Sequence, residues 1–167
     1  MMITIRNYKE SDAAEVGRLI ADTYTEFNLS FTSPGERGLM LGPFAHAHSP
    51  DADHQAAIAG VLRSPICLVA EAGGEIVGIL RGRKERLASL FVRKDYHRQG
   101  VGRQLVAHFE AESAAQGVSV VRVAATQYAV PFYRVLGYKK STGLRSGWSF
   151  AGHGLPIQPM KKVLSPV

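Results

Sequence analysis

The residues best suited to chemistry lie in one segment, where an apolar stretch runs into a glycine-containing loop and then into a helical pattern. The apolar stretch is 86–92, the loop is 93–100, and helical periodicity begins near Val101. A helix that starts in this way presents unpaired backbone N–H groups and the positive end of its dipole. Gly100 and Gly102 let an anion approach the backbone, and Arg98 and Arg103 can donate charge-assisted hydrogen bonds. The segment therefore predicts an anion site that suits a phosphate.

Two common nucleotide-binding motifs do not explain this loop. A Walker A loop has Lys and then Ser or Thr after its last glycine, whereas Gly102 is followed by Arg103 and Gln104. A dinucleotide-binding turn has the pattern Gly-x-Gly-x-x-Gly after the first strand, but Leu105 stands at the third glycine position and the strand before this loop comes later in the chain. The first motif is excluded, and the second fits poorly.

A second motif follows about 25 residues after the first. Residues 126–138 read Thr-Gln-Tyr-Ala-Val-Pro-Phe-Tyr-Arg-Val-Leu-Gly-Tyr, which resembles the Asn-x-x-Ala-x-x-Phe-Tyr-x-x-x-Gly-Phe signature of the GNAT N-acetyltransferase superfamily. The first loop resembles the pyrophosphate loop of that superfamily, [Gln/Arg]-x-x-Gly-x-[Gly/Ala]. Two positions differ, since His97 replaces Gln or Arg and Thr126 replaces an Asn that often helps to hold pantetheine. The resemblance extends roughly over residues 71–164.

The resemblance implies a fold and a cofactor. The fold is the α+β GNAT acyltransferase fold, with residues 1–167 as a single domain and a mixed, mostly antiparallel central sheet flanked by helices on both faces. The cofactor is acetyl-CoA as co-substrate, without a metal. Its pantetheine would contact the strand before the loop, and its pyrophosphate would contact the loop amides. The residues so assigned are Leu90, Phe91, Val92, His97, Arg98, Gln99, Gly100, Val101, Gly102, Arg103, Thr126 and Ala129.

The reaction implied by the resemblance is direct transfer of an acetyl group to a primary amine of a small molecule, peptide or protein. Such a transfer needs a neutral amine, a group that stabilises the oxyanion and an acid for the departing thiolate. Tyr133 stands at the acid position of the family, although a core position beside Phe132 also explains it. The backbone N–H of Phe91 or Val92 is a candidate to polarise the thioester carbonyl.

The general base is the role that the sequence defines least. Many relatives have a Glu on the strand before the loop, but residues 86–92 contain no carboxylate. Glu85 at the strand edge and Glu26 at the end of the first helix are candidates, and each also fits a solvated charge. A water relay is a third route. The missing carboxylate also keeps open an alternative function, a catalytically silent regulatory module that binds acyl-CoA.

Length and composition restrict the class of protein. The chain has 167 residues, is 46% apolar and 20% charged, and has no apolar run that could cross a bilayer. Its single cysteine, Cys67, fits a buried core position in a cytoplasmic protein. The net charge of +6 has a basic run from Arg81 to Arg103, which an anionic cofactor would explain. The nucleic-acid-binding patterns are missing, so nucleic acid is not the expected partner. A homodimer, common in the family, is compatible with the sequence.

The remaining sequence predicts the elements that position these groups. Strands are predicted at 2–8, 66–71, 76–80, 86–92, 118–124, 144–150 and 157–164, and helices at 12–28, 49–63, 101–116 and 131–136. Residues 29–53 have no periodicity and predict an irregular lid or mobile loop, in which His46, His48 and His54 lack a metal-ligand pattern. Together with this loop, five aromatic residues indicate an apolar acceptor pocket: Tyr24, Phe27, Phe31, Phe44 and Trp148.

Overall fold

A computed structural model describes residues 2–164 of the chain. This part contains five α-helices and eight β-strands. In chain order they are β1 (Thr4–Asn7), α1 (Ala13–Thr23), α2 (Pro34–Leu41), α3 (Ala52–Leu62), β2 (Ile66–Ala72), β3 (Glu75–Arg83), β4 (Arg86–Val92), α4 (Val101–Ala115), β5 (Val120–Thr126), α5 (Val130–Val135), β6 (Lys139–Lys140), β7 (Arg145–Ser149) and β8 (Gly152–Val163). Among the helices of residues 2–164, none has both the length and the apolar character needed to cross a membrane.

The strands form one sheet in the order β1-β2-β3-β4-β5-β8-β6, with β7 also paired to β8. All neighbours are antiparallel except β4 and β5, which are parallel and share only the pairs Arg86 with Arg122 and Leu87 with Val123. In the pairing of β3 with β4, the register passes from Ser89 opposite Arg81 to Leu87 opposite Gly82, which is a β-bulge at Ala88. A bulge bends its strand, and β4 leaves β5 at this point.

Each face of the sheet carries its own apolar core. On one face α1 and α3 pack on the strands through residues such as Val16, Ile58 and Ile79. On the other face α4 covers the strands through residues such as Leu105 and Phe109. Helices therefore cover both faces of a mixed, mostly antiparallel sheet, which confirms the predicted fold class.

The segment 29–53, predicted to be irregular, is instead largely helical. Helix α2 begins after Ser33, whose Oγ accepts a hydrogen bond from the N–H of Glu36, while the Glu36 carboxylate accepts one from the N–H of Ser33. This reciprocal pair is a capping box. The prediction was wrong because it relied on the glycines and prolines of the segment. The capping box at Ser33–Glu36, a four-residue pattern that marks the start of a helix, was overlooked.

The first helix also differs from its prediction over 12–28. Helix α1 ends at Thr23, and the chain continues as one π-helical turn from Tyr24 to Asn28. Such turns are uncommon and occur often at functional sites. Here the turn brings Tyr24 and Asn28 to the opening between β4 and β5.

Candidate active site

The divergence of β4 from β5 opens a cavity of about 480 Å³. Strand residues 86–91 and 123–126 line it, together with the π-helical turn, parts of α5 and the β7–β8 hairpin. Several of the strand side chains are small, among them Ala88, Ala124 and Ala125. The cavity can therefore admit an extended ligand between the two strands.

The backbone of β4 presents hydrogen-bonding groups to this opening. The N–H of Arg93 donates to the carbonyl of Val77 on β3 at 2.8 Å. Backbone groups alternate in direction along a strand, so those of Leu90 and Val92 face away from β3 and into the opening. The carbonyl of Val92 accepts a hydrogen bond from His97 Nε2 at 2.7 Å. The N–H groups of Leu90 and Val92 are directed into the opening between the strands, and of these two residues Leu90 lines the cavity.

Phe91 departs from its predicted role. The same alternation turns its backbone groups toward β3, where it stands opposite Ile79. Its N–H is therefore not a donor to the cavity, which corrects the prediction. Phe91 nevertheless lines the cavity, and the centroid of its ring lies 5.2 Å from that of the Tyr24 ring.

The residues His97–Arg103, which we name the amide loop, run into the first turn of α4. Gly100 is the N-cap in the left-handed conformation, with φ of +83°, and the first intrahelical donor after it is the N–H of Gln104. The amides at 101–103 therefore have no acceptor within the helix. Arg98 also has a left-handed φ of +60°, and such turns collect successive N–H groups around one point. Gln99 fixes the loop, since its Nε2 donates to the Asp95 carbonyl.

Gly102 has a packing role that the sequence did not reveal. A Cβ at this position would lie 3.0 Å from two atoms of the Phe132 ring. The missing side chain therefore lets α4 pack closely on α5. Clearance for an anion, the predicted reason, applies better to Gly100, where the nearest atom to a Cβ would be the Gln104 amide at 3.9 Å.

The basic run from Arg81 to Arg103 is not one surface, which corrects the prediction. Arg93 and Lys94 are engaged in ion pairs with carboxylates, at 2.7 Å in each case. Arg98 and Arg103 lie in the amide loop and are exposed, and within residues 2–164 neither has an ion-pair partner. Arg81 lines the cavity instead. Only the arginines at 98 and 103 are therefore placed to meet an anion at the amide loop.

Tyr133 on α5 is buried and lines the cavity. Its ring packs edge-on against Phe132 and Tyr138, with centroids 5.1 and 5.5 Å away. The Tyr138 hydroxyl donates to the Glu110 carboxylate, whereas the Tyr133 hydroxyl has no hydrogen-bond partner among residues 2–164. Burial raises the pKa of the Tyr133 phenol. The group is therefore a protonated and unengaged donor.

Neither predicted base reaches this cavity. Glu85 lies in the exposed turn between β3 and β4 with a φ of +75°, and its carbonyl accepts from the Arg122 N–H. Glu26 accepts a hydrogen bond from Lys94 Nζ at 2.7 Å and lines a separate surface hollow. Among the described residues, no Asp or Glu lines the cavity.

Asn28 is a site residue that the sequence did not reveal. Its Nδ2 donates to Thr126 Oγ1 at 2.6 Å, and both residues line the cavity. The amide group that the family usually carries at position 126 is thus supplied from a position 98 residues earlier. No local pattern could have indicated this pairing. Ala129, assigned to the cofactor, also lines the cavity as the N-cap of α5.

The other side of the cavity is formed by side chains, and we name it the side-chain wall: Tyr24, Phe44, Arg81, Trp148, Ser149 and Phe150. Ser149 Oγ donates to the Met40 carbonyl at 2.6 Å and so accepts from the Tyr24 hydroxyl, also at 2.6 Å. Burial raises the pKa of Tyr24. These buried hydrogen bonds tie the π-helical turn, α2 and β7 together.

Three of the five predicted pocket aromatics belong to this wall, and two do not. Phe27 packs against His97 and Tyr128, with centroid distances of 4.8 and 5.3 Å. Phe31 is 57% exposed. Trp148 lines the cavity although it is 72% exposed, so it stands at the entrance.

Cys67 and the three histidines take no part in the cavity. Cys67 is partly buried on β2, and burial raises the pKa of its thiol to about 12. His46 and His54 stack with centroids 4.1 Å apart, and His48 contacts Asp22. Within residues 2–164, no three potential metal-ligating side chains meet.

Comparisons with known proteins agree with this arrangement. No curated protein sequence matches the chain. Among solved structures, a GCN5-related N-acetyltransferase from Rhodopseudomonas palustris is 24% identical with a TM-score of 0.81, covering 98% of this chain and 97% of that one. PaiA N-acetyltransferase from Thermoplasma acidophilum, in complex with coenzyme A, is 18% identical with a TM-score of 0.74, covering 98% and 100%.

YncA from Salmonella typhimurium, a putative acetyltransferase solved with its cofactor acetyl-CoA, is 17% identical with a TM-score of 0.62, covering 100% of this chain and 96% of that one. These likenesses show the fold. The family is shown by a sequence model described as an acetyltransferase (GNAT) domain, which matches residues 43–164 and so most of the chain. Because this match spans both signature motifs, the chain belongs to the GNAT acetyltransferase family.

Proposed function

We propose that the protein is an N-acetyltransferase that moves the acetyl group of acetyl-CoA to a primary amine. One observation carries the proposal: the opened edge of β4 and the unengaged Tyr133 phenol border one cavity, and the amide loop follows at the end of the same strand, where His97 contacts Val92. The structures of PaiA with coenzyme A and YncA with acetyl-CoA support it, because both share the fold.

The residues present fit acetyl-CoA. Amides at 101–103, together with Arg98 and Arg103, supply donors and positive charge for a pyrophosphate. The N–H groups of Leu90 and Val92, and the Asn28–Thr126 pair, supply polar contacts for a pantetheine amide chain. When bound, acetyl-CoA supplies an activated acetyl thioester.

The chain's own residues then have two tasks in the transfer. The N–H groups directed into the opening can donate to the thioester carbonyl as charge develops on its oxygen. The amine nitrogen forms the C–N bond while the C–S bond breaks, and the Tyr133 phenol gives its proton to the departing thiolate. The proton lost by the amine returns, through solvent, to the Tyr133 phenolate. Acetyl donor and amine are thereby converted to amide and thiol.

Among residues 2–164, no carboxylate in the cavity can accept the amine proton. We therefore assign it to water at the exposed entrance near Trp148, which is the relay considered from the sequence. On this assignment, neither Glu85 nor Glu26 is a catalytic residue. Substitution of either by Gln should leave kcat unchanged, and a loss of more than about tenfold would restore that residue as a base.

The missing carboxylate also favours a second candidate, a catalytically silent module that binds acyl-CoA. Both candidates predict binding, but only the first predicts thiol release. The cytoplasmic location, the single domain and the homodimer stay predictions, as does the expectation that nucleic acid is not a partner.

The thermal midpoint with saturating acetyl-CoA tests the cofactor, with free adenosine as control. At about 100 times Kd a ligand adds roughly 2.7 kcal/mol, a shift on the order of 5 to 10 °C for a chain of this size. Release of free thiol on addition of primary amines then tests the enzyme. A shift without any thiol release would favour the silent module, and no shift would contradict both candidates.

A further inference from the structure

Arg81 is a half-buried cation for which the structure provides no anion. It lies on β3 opposite Ser89 of β4, and its guanidinium makes one hydrogen bond, to Ser89 Oγ at 3.2 Å. Among residues 2–164, no Asp or Glu forms an ion pair with it. Taking a charge out of water without a partner is costly. Most of its five N–H donors are therefore left for a ligand.

The surroundings of Arg81 add positive charge and apolar surface. The other charged residue that lines the cavity is Arg86, which is exposed at the start of β4. Apart from Ser149, whose hydroxyl is engaged by Tyr24 and Met40, the rest of the side-chain wall is aromatic: Tyr24, Phe44, Trp148 and Phe150. An anion with an apolar body would satisfy both features. A polycation would meet two arginines and no carboxylate.

The position of Arg81 separates it from the amide loop. Arg93, where the loop region begins, is four residues beyond Ser89, which is about 13 Å along an extended strand. An anion held at the amide loop is therefore not the one that Arg81 faces. Arg81 instead lies on the side of the cavity that the side-chain wall encloses.

We propose that Arg81 binds a carboxylate on the acceptor, so that the enzyme acetylates small amines that also carry a carboxylate and an apolar group, as an amino acid does. This inference rests on the proposed function, because it names the chemical class of the amine acceptor. A planar carboxylate matches the guanidinium geometry. Arg81 is then a specificity-determining residue.

A binding experiment tests the carboxylate site without any turnover. The probes are phenylacetate and phenylacetamide, which have nearly the same shape and differ in charge, titrated calorimetrically into protein saturated with coenzyme A. Charge-assisted hydrogen bonds predict about ten- to hundredfold tighter binding of phenylacetate. Arg81→Gln should abolish this preference. The matched control is Arg83→Gln on the same strand, since Arg83 is exposed and does not line the cavity.

A second measurement concerns the acceptor itself. Phenylalanine should have a higher kcat/KM than phenethylamine, which lacks only the carboxylate, by about ten- to hundredfold. Arg81→Gln should remove this ratio, and Arg83→Gln should retain it. Because an unpaired charge is lost, the thermal midpoint of Arg81→Gln should not fall below that of the wild type.

The two proposals fail in different ways. Absence of coenzyme A binding contradicts the proposed function. Normal coenzyme A binding with equal affinity for both probes, with no binding of either, or with a preference that survives Arg81→Gln overturns the inference alone. If Arg81→Gln instead weakens coenzyme A binding, the arginine serves the cofactor and the inference is also overturned.

Discussion

The amide loop lies at the end of β4 and the side-chain wall lines the cavity beside β4, and the two regions are built from different chemical groups. The amide loop is backbone: N–H groups at the start of α4, set by a left-handed Gly100. The side-chain wall is a set of side chains from the π-helical turn, the segment after α2, β3, β7 and the β7–β8 turn, and the Tyr24–Ser149–Met40 hydrogen bonds hold it. Backbone N–H groups are present whatever the residue type, so they suit a ligand group that does not vary. Side chains differ with residue type, so they suit a ligand that varies, such as the acceptor. The amide loop can therefore bind the same group whatever the acceptor, while the side-chain wall can determine which acceptor fits.

The pH profile is the prediction with the largest expected effect, and it concerns the chemistry where the two sides meet. Without a carboxylate base in the cavity, kcat/KM should rise about tenfold per pH unit below the pKa of the acceptor amine. Burial raises the pKa of Tyr133 above its ordinary value of about 10, so the acid stays protonated throughout. Activity should therefore not decline up to pH 9.5. A decline beginning at neutral pH would contradict this assignment.

Replacement of Tyr133 tests the acid directly. Tyr133→Phe should lower kcat by at least about tenfold, since general acid catalysis contributes that much or more, while the Kd of acetyl-CoA stays unchanged. The matched control is Tyr138→Phe, because the Tyr138 hydroxyl is bound to Glu110 and Tyr138 does not line the cavity. Stopped assays of thiol release and calorimetry would provide both numbers. Equal kcat values for the two variants would remove Tyr133 as the acid.

Loss of one hydroxyl should weaken the side-chain wall. Ser149→Ala leaves the buried Met40 carbonyl and the Tyr24 hydroxyl without their partner, which should lower the free energy of unfolding by about 1–3 kcal/mol. Ser146→Ala, exposed on the same strand, is the control and should be neutral. Denaturant unfolding monitored by circular dichroism measures both. A neutral Ser149→Ala would show that these hydrogen bonds do not hold the wall.

The smallest effect is expected for the arginines of the amide loop, where backbone groups do most of the binding. Arg98→Gln and Arg103→Gln should each weaken acetyl-CoA binding by about two- to fivefold, as single exposed charges do. Arg93→Gln is the comparison, because its ion pairs with Asp95 and Glu75 keep its charge engaged. A loss above about a hundredfold at Arg98 or Arg103 would show that side chains, not amides, hold the anion.

The two sides also differ in how far the sequence predicts them. The amide loop was predicted because a strand, two glycines and a helix start lie within 20 consecutive residues, and local order alone determines which amides are free. Even in this region two roles were not predicted. Gly102 allows close packing against Phe132, and the alternation of backbone groups along β4 turns the Phe91 N–H toward β3. Both depend on neighbours that a local pattern does not specify.

The side-chain wall was predicted only in part. Three of its aromatic residues could be proposed from residue type, but Asn28, Ser149 and the orientation of Arg81 depend on contacts between distant segments. Arg81 is an example of a residue whose surroundings the sequence does not specify. By sequence it belongs to a basic run, and only the position of β3 beside the bulged β4 separates it from that run.

An ¹⁵N–¹H correlation spectrum, recorded while coenzyme A and then phenylacetate are added, tests the division of the cleft most directly. Coenzyme A should shift the amide signals of residues 97–103 together with those of Leu90 and Val92. Phenylacetate should then shift the Arg81 Nε–H and Trp148 indole signals and leave the amide loop unchanged. Shifts of the amide loop by phenylacetate, or failure of coenzyme A to shift it, would contradict the account.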